Sequence, residues 1–289
     1  MKLNLENISK KYDKKMILKD ISIELTNGVY GLLGANGTGK TTLMKIITNL
    51  ISPTSGKVLF DNKNISDNQE EFYSKLGFLP QDFTYYPEFT GLRFLKYLAT
   101  LKGLQQKEIE KKSLELLKKV GLEEVMNNKI KSYSGGMKQR LGIAQALINE
   151  PEILILDEPT VGLDPKERVK FRNLLSSLAE NKIILLSTHI VSDIEYIADE
   201  ILILKNGIIE NKGTPKDLIQ KIKNQVWYLE LETQELKYYM DNFIVSNQKH
   251  IEDSGLHGLR LISNSKPADK AKLVEPNLED LYLSYFGKA

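Results

Sequence analysis

Glycine, lysine and threonine are spaced for phosphate binding in Gly34-Ala35-Asn36-Gly37-Thr38-Gly39-Lys40-Thr41, which fits G-x-x-x-x-G-K-[ST] in full and is followed by Thr42. The apolar run Val29 to Leu33 predicts a strand before it, and residues from about Lys40 to Asn49 predict a helix after it. That is the context the pattern requires. Glycines let backbone N–H groups converge on phosphate oxygens, and the start of a helix adds a favourable dipole. Lys40 is expected to reach the β- and γ-phosphates of a nucleotide, and the Thr41 hydroxyl to hold magnesium. Mean residue frequencies give such a match by chance in about one chain per hundred of this length, before the strand and helix are considered.

A second candidate is acidic. Ile153-Leu154-Ile155-Leu156 predicts a buried strand that ends in Asp157-Glu158. A carboxylate at a strand end beside a phosphate loop is placed to organise magnesium, and its neighbour to take a proton from attacking water. Alone, a strand running into an acidic turn is commonplace. The phosphate loop upstream gives it weight.

The third candidate is Tyr133-Ser134-Gly135-Gly136-Met137-Lys138-Gln139-Arg140. A serine hydroxyl and a glycine N–H at a helix start are phosphate-binding groups by the same logic as the loop. Here the chain resembles the ABC-transporter ATPase family, whose signature is L-S-G-G-Q. Ser134, Gly135 and Gly136 match it; Tyr133 stands for the leucine and Met137 for the glutamine. The resemblance implies that these residues serve ATP held by an opposite subunit. It further implies that Gln81 contacts magnesium and senses a membrane partner, and that Asp164, in Val161-Gly162-Leu163-Asp164, lies at a dimer seam. His189, after Ser187-Thr188, would contact the γ-phosphate, and Tyr12 would stack on adenine. The implied site therefore has Lys40, Gln81, Glu158 and His189 in catalysis. Thr41, Gln81 and Asp157 hold Mg2+, and Tyr12 with residues 34–42 holds ATP. The implied partners are a second such ATPase, in a homo- or heterodimer, and a polytopic membrane permease at the cytoplasmic face of the cell membrane. Residues 88–95 and the ending Pro276-Asn277-Leu278-Glu279-Asp280-Leu281-Tyr282-Leu283 resemble an export subgroup. A soluble ATPase of DNA repair or translation shares these motifs, but mostly carries two cassettes or long coiled coils.

These residues must be held by alternating elements. Predicted strands at Lys2 to Asn7, Leu18 to Leu25 and Lys57 to Phe60 precede or flank the loop. Gly77 to Leu79, Ile153 to Leu156 and Ile183 to Ser187 read as buried strands separated by helices. Helical spacing from Thr90 to about Lys119 interrupts the alternation and predicts an inserted helical subdomain over about 82–150. A hairpin is predicted around Asn206-Gly207. Texture changes after about Lys223, with strands at Val226 to Leu231 and Leu256 to Ile262 and helices at Gln234 to Phe243 and Pro276 to Phe286. The expected fold is α/β, a P-loop ATPase with a mostly parallel sheet, an antiparallel β subdomain and the helical insertion over 1–215, plus a small α+β unit over 216–289. Trp227 reads as core of that small unit, and His250 and His257 lack metal-ligand neighbours. The aromatic stretch 82–89 before the insertion offers Tyr85 and Tyr86 as exposed docking residues for the permease, or else packs the insertion against the sheet.

Composition narrows the classes. The 289 residues carry a net charge of +2, so no bulk field draws the chain to nucleic acid, and no nucleic-acid partner is expected. Cysteine is absent, which excludes disulfides, Cys-bound zinc and thiol nucleophiles. The first residues lack the apolar run of a signal peptide, and the longest apolar runs fall far short of the roughly 20 residues a membrane helix needs. Membrane work would therefore go through a partner.

Overall fold

In the computed structural model, which describes residues 1–252 and 255–287, the chain opens with β1 (Leu3–Tyr12), β2 (Lys15–Leu25) and β3 (Gly28–Leu33), followed by α1 (Lys40–Ile47). Next come β4 (Ser55–Phe60), β5 (Lys63–Asn64), α2 (Gln69–Lys75) and β6 (Leu76–Leu79), then the helices α3 (Gly91–Leu101), α4 (Gln106–Lys119) and α5 (Gly135–Ala146). Alternation resumes with β7 (Ile153–Asp157), α6 (Pro165–Leu178), β8 (Ile183–Thr188), α7 (Val191–Glu195), β9 (Glu200–Lys205), β10 (Ile208–Gly213) and α8 (Pro215–Gln220). The remainder is β11 (Val226–Leu231), α9 (Thr233–Asn242), β12 (Ile244–Ile251), β13 (Leu256–Ile262), β14 (Lys272–Leu273) and α10 (Leu278–Phe286).

The central sheet has the order β10-β9-β3-β8-β7-β6. Its strands pair in parallel except for the β9–β10 hairpin. Asn206 and Gly207 turn that hairpin with φ of 52° and 80°, both in the left-handed region that a tight two-residue turn needs. Every residue of β7 and β8 is buried, because elements cover both faces of the sheet. One cluster joins Leu156 and Leu186 to Leu95, Leu117 and Leu141 of the helical insertion. The opposite cluster joins Ile155 and Leu185 to Leu43 and Ile46 of α1 and to Leu5 of the antiparallel sheet β2-β1-β4-β5. The phosphate loop sits where these layers meet.

The first hairpin is longer than its apolar pattern predicts. β1 runs to Tyr12 and β2 starts at Lys15, with Tyr12 opposite Lys15. The lysine-rich tip carries no apolar alternation because it projects into solvent, and ladder pairing rather than burial holds it. The third sheet, β12-β13-β11-β14, is antiparallel and has its own small cluster around Leu229, Leu231, Tyr239, Leu259 and Leu261, on which Trp227 packs half-buried. β12 and β14 lie outside the predicted strands. β12 is an edge strand whose residues Asn247 to His250 are exposed and polar, so periodicity could not mark it.

α10 does not pack only within the third sheet's cluster. Leu278 and Leu281 join the large core with Ile194 of α7 and Leu218 and Ile222 around α8. A partly buried ion pair fixes its orientation. Asp280 accepts from Arg260 Nε at 3.0 Å and from Nη2 at 2.6 Å, and the carboxylate is fully buried. No helix among the described residues is long and apolar enough to cross a membrane.

Candidate functional site

β3 delivers the chain into residues 34–39 at the carboxyl end of the parallel sheet, and α1 begins at Lys40. Gly34 is required by closeness: a Cβ there would lie 2.7 Å from the Leu204 carbonyl oxygen. Gly37 and Gly39 adopt φ of 79° and 109°, which side chains resist. Thr38 folds its hydroxyl onto the Ala35 carbonyl at 2.9 Å. Lys40 is only 7% exposed and donates to the Gly34 carbonyl at 2.7 Å and the Ala35 carbonyl at 3.3 Å. Burial pushes its pKa down, and the charges of Glu158 and Asp157 oppose that shift. The lysine thus feels both acids. Thr41 and Thr42 are half-buried on the first turn of α1.

The acids are positioned by strand register. β7 pairs with β8 so that Asp157 stands opposite Ser187. Ser187 Oγ donates to Asp157 Oδ1 at 2.5 Å and accepts from the Glu158 N–H at 3.1 Å. Glu158 is 6% exposed and has φ of 52°, a backbone conformation unusual for a residue with a side chain. The turn aims its carboxylate at His189, with Oε2 2.8 Å from Nδ1. An ionised carboxylate only accepts, so this contact places a ring proton on Nδ1 and leaves Nε2 as the other face of the imidazole. His189 itself is half exposed.

Ser134 caps α5: its Oγ accepts from the Met137 N–H at 3.2 Å, and the Ser134 N–H reaches Met137 Sδ at 3.5 Å. Met137 therefore completes, through sulfur, the reciprocal cap that a glutamine makes through oxygen. Tyr133 is buried, and its hydroxyl donates to the Val125 carbonyl at 2.8 Å. A Cβ at residue 91 would lie 2.4 Å from that hydroxyl, so Gly91 makes room for the tyrosine. A Cβ on Gly136 would meet Glu167 Oε2 at 2.4 Å and the Gly162 carbonyl at 3.2 Å. The start of α5 thus abuts the 161–164 turn, and Glu167 is paired with Arg140 at 2.8 Å. Asp164 caps α6, accepting from the Glu167 N–H at 2.8 Å.

Two groupings result. Lys40, Asp157, Glu158 and His189 converge at the end of the sheet, and Ser134, Gly135, Gly136 and Asp164 meet at the starts of α5 and α6. Tyr12 stands at the tip of the β1–β2 hairpin, 47% exposed, while Ile17 and Leu18 of β2 pack against Gly39. Gln81 is exposed just after β6. Of the two tyrosines expected to be exposed, Tyr86 is. Tyr85 is half-buried against Phe83, ring centroids 6.3 Å apart, beneath Lys138, so it is a packing residue. Sequence reading missed Ser187 as a site residue. Only the β7–β8 register makes it face Asp157, and a serine before Thr188-His189 carries no such signal on its own. It also missed Gln139, whose amide reaches the Glu158 carbonyl at 3.5 Å.

A glycine-rich loop between a parallel strand and a helix, with an aspartate and a glutamate closing the neighbouring strand, defines a P-loop nucleoside-triphosphatase. The ABC transporter family profile matches residues 18–161. The linearmycin resistance ATP-binding protein LnrL of Bacillus subtilis is 33% identical over 99% of this chain and 98% of its own length. The bacitracin transport ATP-binding protein BcrA of Enterococcus faecalis is 36% identical over 85% of this chain and 82% of its own length. A solved dimeric, post-hydrolysis ATP-binding cassette with ADP and Pi is 31% identical, covers 73% of this chain and 98% of its own, and superposes with a TM-score of 0.68. The chain belongs to the ABC transporter ATP-binding proteins, and it is an ATPase of that family.

Ser187→Ala removes a buried hydroxyl that serves two polar groups at once. Urea unfolding is expected to show a loss of about 1–3 kcal/mol. A change below about 0.5 kcal/mol, the usual scatter of inert substitutions, would contradict the shared role.

Proposed function

We propose that residues 34–42 and Tyr12 hold ATP, that Glu158 takes the proton of the attacking water, and that His189 completes the site against the γ-phosphate. The observation that carries this reading is the placement of Glu158: buried at the end of β7, turned by a left-handed backbone, and hydrogen-bonded to His189 beside a desolvated Lys40. A carboxylate held this way is fixed in orientation before substrate arrives. Lys40 exchanges its contacts to the Gly34 and Ala35 carbonyls for phosphate oxygens, and the loop N–H groups are supplied by the backbone that the glycines permit.

Thr41, Gln81 and Asp157 are the residues that would hold Mg2+. Their oxygen donors suit a hard cation, and Ser187 engages only Oδ1 of Asp157. When bound, magnesium supplies charge neutralisation at the phosphate oxygens. Ser134, Gly135 and Gly136 serve the nucleotide of a second ATPase subunit, with Asp164 at the seam between them. The dimeric solved cassette supports that pairing. The chain acts peripherally, at the cytoplasmic face of the membrane, beneath a polytopic permease. Relatives named for linearmycin resistance and bacitracin transport support export as the direction. Residues 1–215 are the cassette, with the helical insertion at about 82–150, and residues 216–289 the accessory unit.

The permease has a candidate docking patch. Tyr86 is exposed, and its ring lies 4.9 Å from Phe89 and 5.6 Å from Tyr97, with the Arg93 guanidinium 4.1 Å above Phe89. Aromatic area at low entropy cost is what a docking surface needs.

Lys40→Ala is expected to lower kcat/KM for ATP at least 10²-fold, of the order that loss of a transition-state charge contact produces; activity within about threefold of wild type would remove Lys40 from this role. Tyr86→Ala is expected to weaken co-purification with the permease while ATPase activity of the isolated chain stays within about twofold. Normal co-purification together with a lowered melting temperature would instead make Tyr86 a packing residue of the helical insertion.

A further inference from the structure

His189 stands two residues before α7, a helix of five residues, too short to hold itself. One flank of α7 is braced by α6. Arg168 Nη1 lies 3.9 Å from the buried Asp193, and Arg172 reaches the Ser192 carbonyl at 3.4 Å. The other flank is α10. His189, Ser192 and Glu195 face Asn277, Glu279 and Tyr282 across a cleft of about 440 Å3. Beneath the cleft, Ile194 shares the core with Leu278 and Leu281. Burial pushes the Tyr282 hydroxyl pKa up, and the Glu158 charge adds to the rise, so the tyrosine lies within electrostatic reach of the acid.

α10 is itself fixed. Asn277 caps it, accepting from the Asp280 N–H at 2.8 Å, and Asp280 returns the bond to the Asn277 N–H at 2.9 Å. Arg260 of β13 grips the same carboxylate and donates to the Glu275 carbonyl at 2.6 Å. A rigid path therefore runs from the third sheet through the Arg260–Asp280 pair to Tyr282 and the cleft beside His189.

We propose that Tyr282 is a positioning residue for ATP hydrolysis: its ring, held by α10, backs the 189–195 segment and keeps His189 in line with Glu158. The accessory unit thereby sets the turnover of the cassette. This rests on the reading of His189 given above. The ring, rather than the hydroxyl, supplies the support, since the ring packs against the core that Ile194 shares and lines the cleft.

The chain has three histidines, and His250 and His257 lie on β12 and β13, so imidazole proton signals report His189 and the fold of the third sheet separately. In the full chain, Tyr282→Leu and Tyr282→Ala are expected to lower kcat about tenfold, the scale of a modest misplacement of a reacting group. KM for ATP should stay within about twofold. The His189 signals should shift while those of His250 and His257 stay in place. Tyr282→Phe keeps the ring and should keep wild-type kcat and the wild-type His189 signal. Wild-type kcat with unmoved His189 signals in Tyr282→Ala would overturn the proposal, as would a Tyr282→Phe enzyme as slow as Tyr282→Ala. His189→Ala separates the two levels. If it hydrolyses ATP normally, the reading of the site falls and this proposal with it; if it is inactive while Tyr282→Ala is not, this proposal alone falls.

Discussion

The parallel pairing of β7 with β8 sets Asp157 opposite Ser187 and leaves both strands ending beside the phosphate loop. The site depends on this register. Through one hydroxyl it ties Asp157 to the N–H of Glu158, and so fixes the left-handed backbone that turns Glu158 toward His189. A slip of one residue would put the apolar side chains of a fully buried strand where these polar groups stand. Ile153 to Leu156 and Ile183 to Leu186 have no exposed surface, so the polar strand ends at Asp157 and Ser187 are anchored by fully buried strands.

Burial also gives the site its electrostatics. Lys40, Asp157 and Glu158 are charged groups with almost no solvent contact. Desolvation acts against the charge of Lys40, and the two acids act for it. The three hold one another in a small space, where fields are less screened than in water. Such an arrangement is costly for a fold and useful for a reaction that gathers negative charge on phosphate oxygens. The left-handed Glu158 belongs to the same pattern, strain kept in place by the structure around it.

Much of this was legible in the sequence because the residues are chemically distinctive and locally ordered. Gly34 to Thr41 announces its turn, and the apolar run before Asp157 announces a buried strand. The Thr-Pro pair at 214–215 is likewise a local helix-start pattern, and Thr214 caps α8 with its hydroxyl accepting from the Asp217 N–H. What stayed hidden depends on contacts between distant segments. Ser187 looks like any strand-end serine until the ladder sets it against Asp157. β12 is polar along its exposed middle and is a strand only because β13 pairs with it. Tyr85 and Tyr86 are adjacent and chemically alike, yet one packs and the other faces out, a choice made by the surroundings of Phe83 and Phe89. The path from Arg260 to Tyr282 likewise exists only after α10 folds back onto α7.

The central claim is that two such chains close on ATP, with the Ser134–Gly136 segment of one meeting the nucleotide of the other and Glu158 then triggering hydrolysis. The most direct measurement is the solution mass of the Glu158→Gln chain by light scattering, with and without ATP and magnesium. Removing the carboxylate while keeping its shape should trap the closed state, so the mass should rise from that of one chain to that of two when ATP is added, with turnover slowed at least 10²-fold. A Glu158→Gln chain that stays monomeric in saturating ATP and hydrolyses it at the wild-type rate would contradict the account.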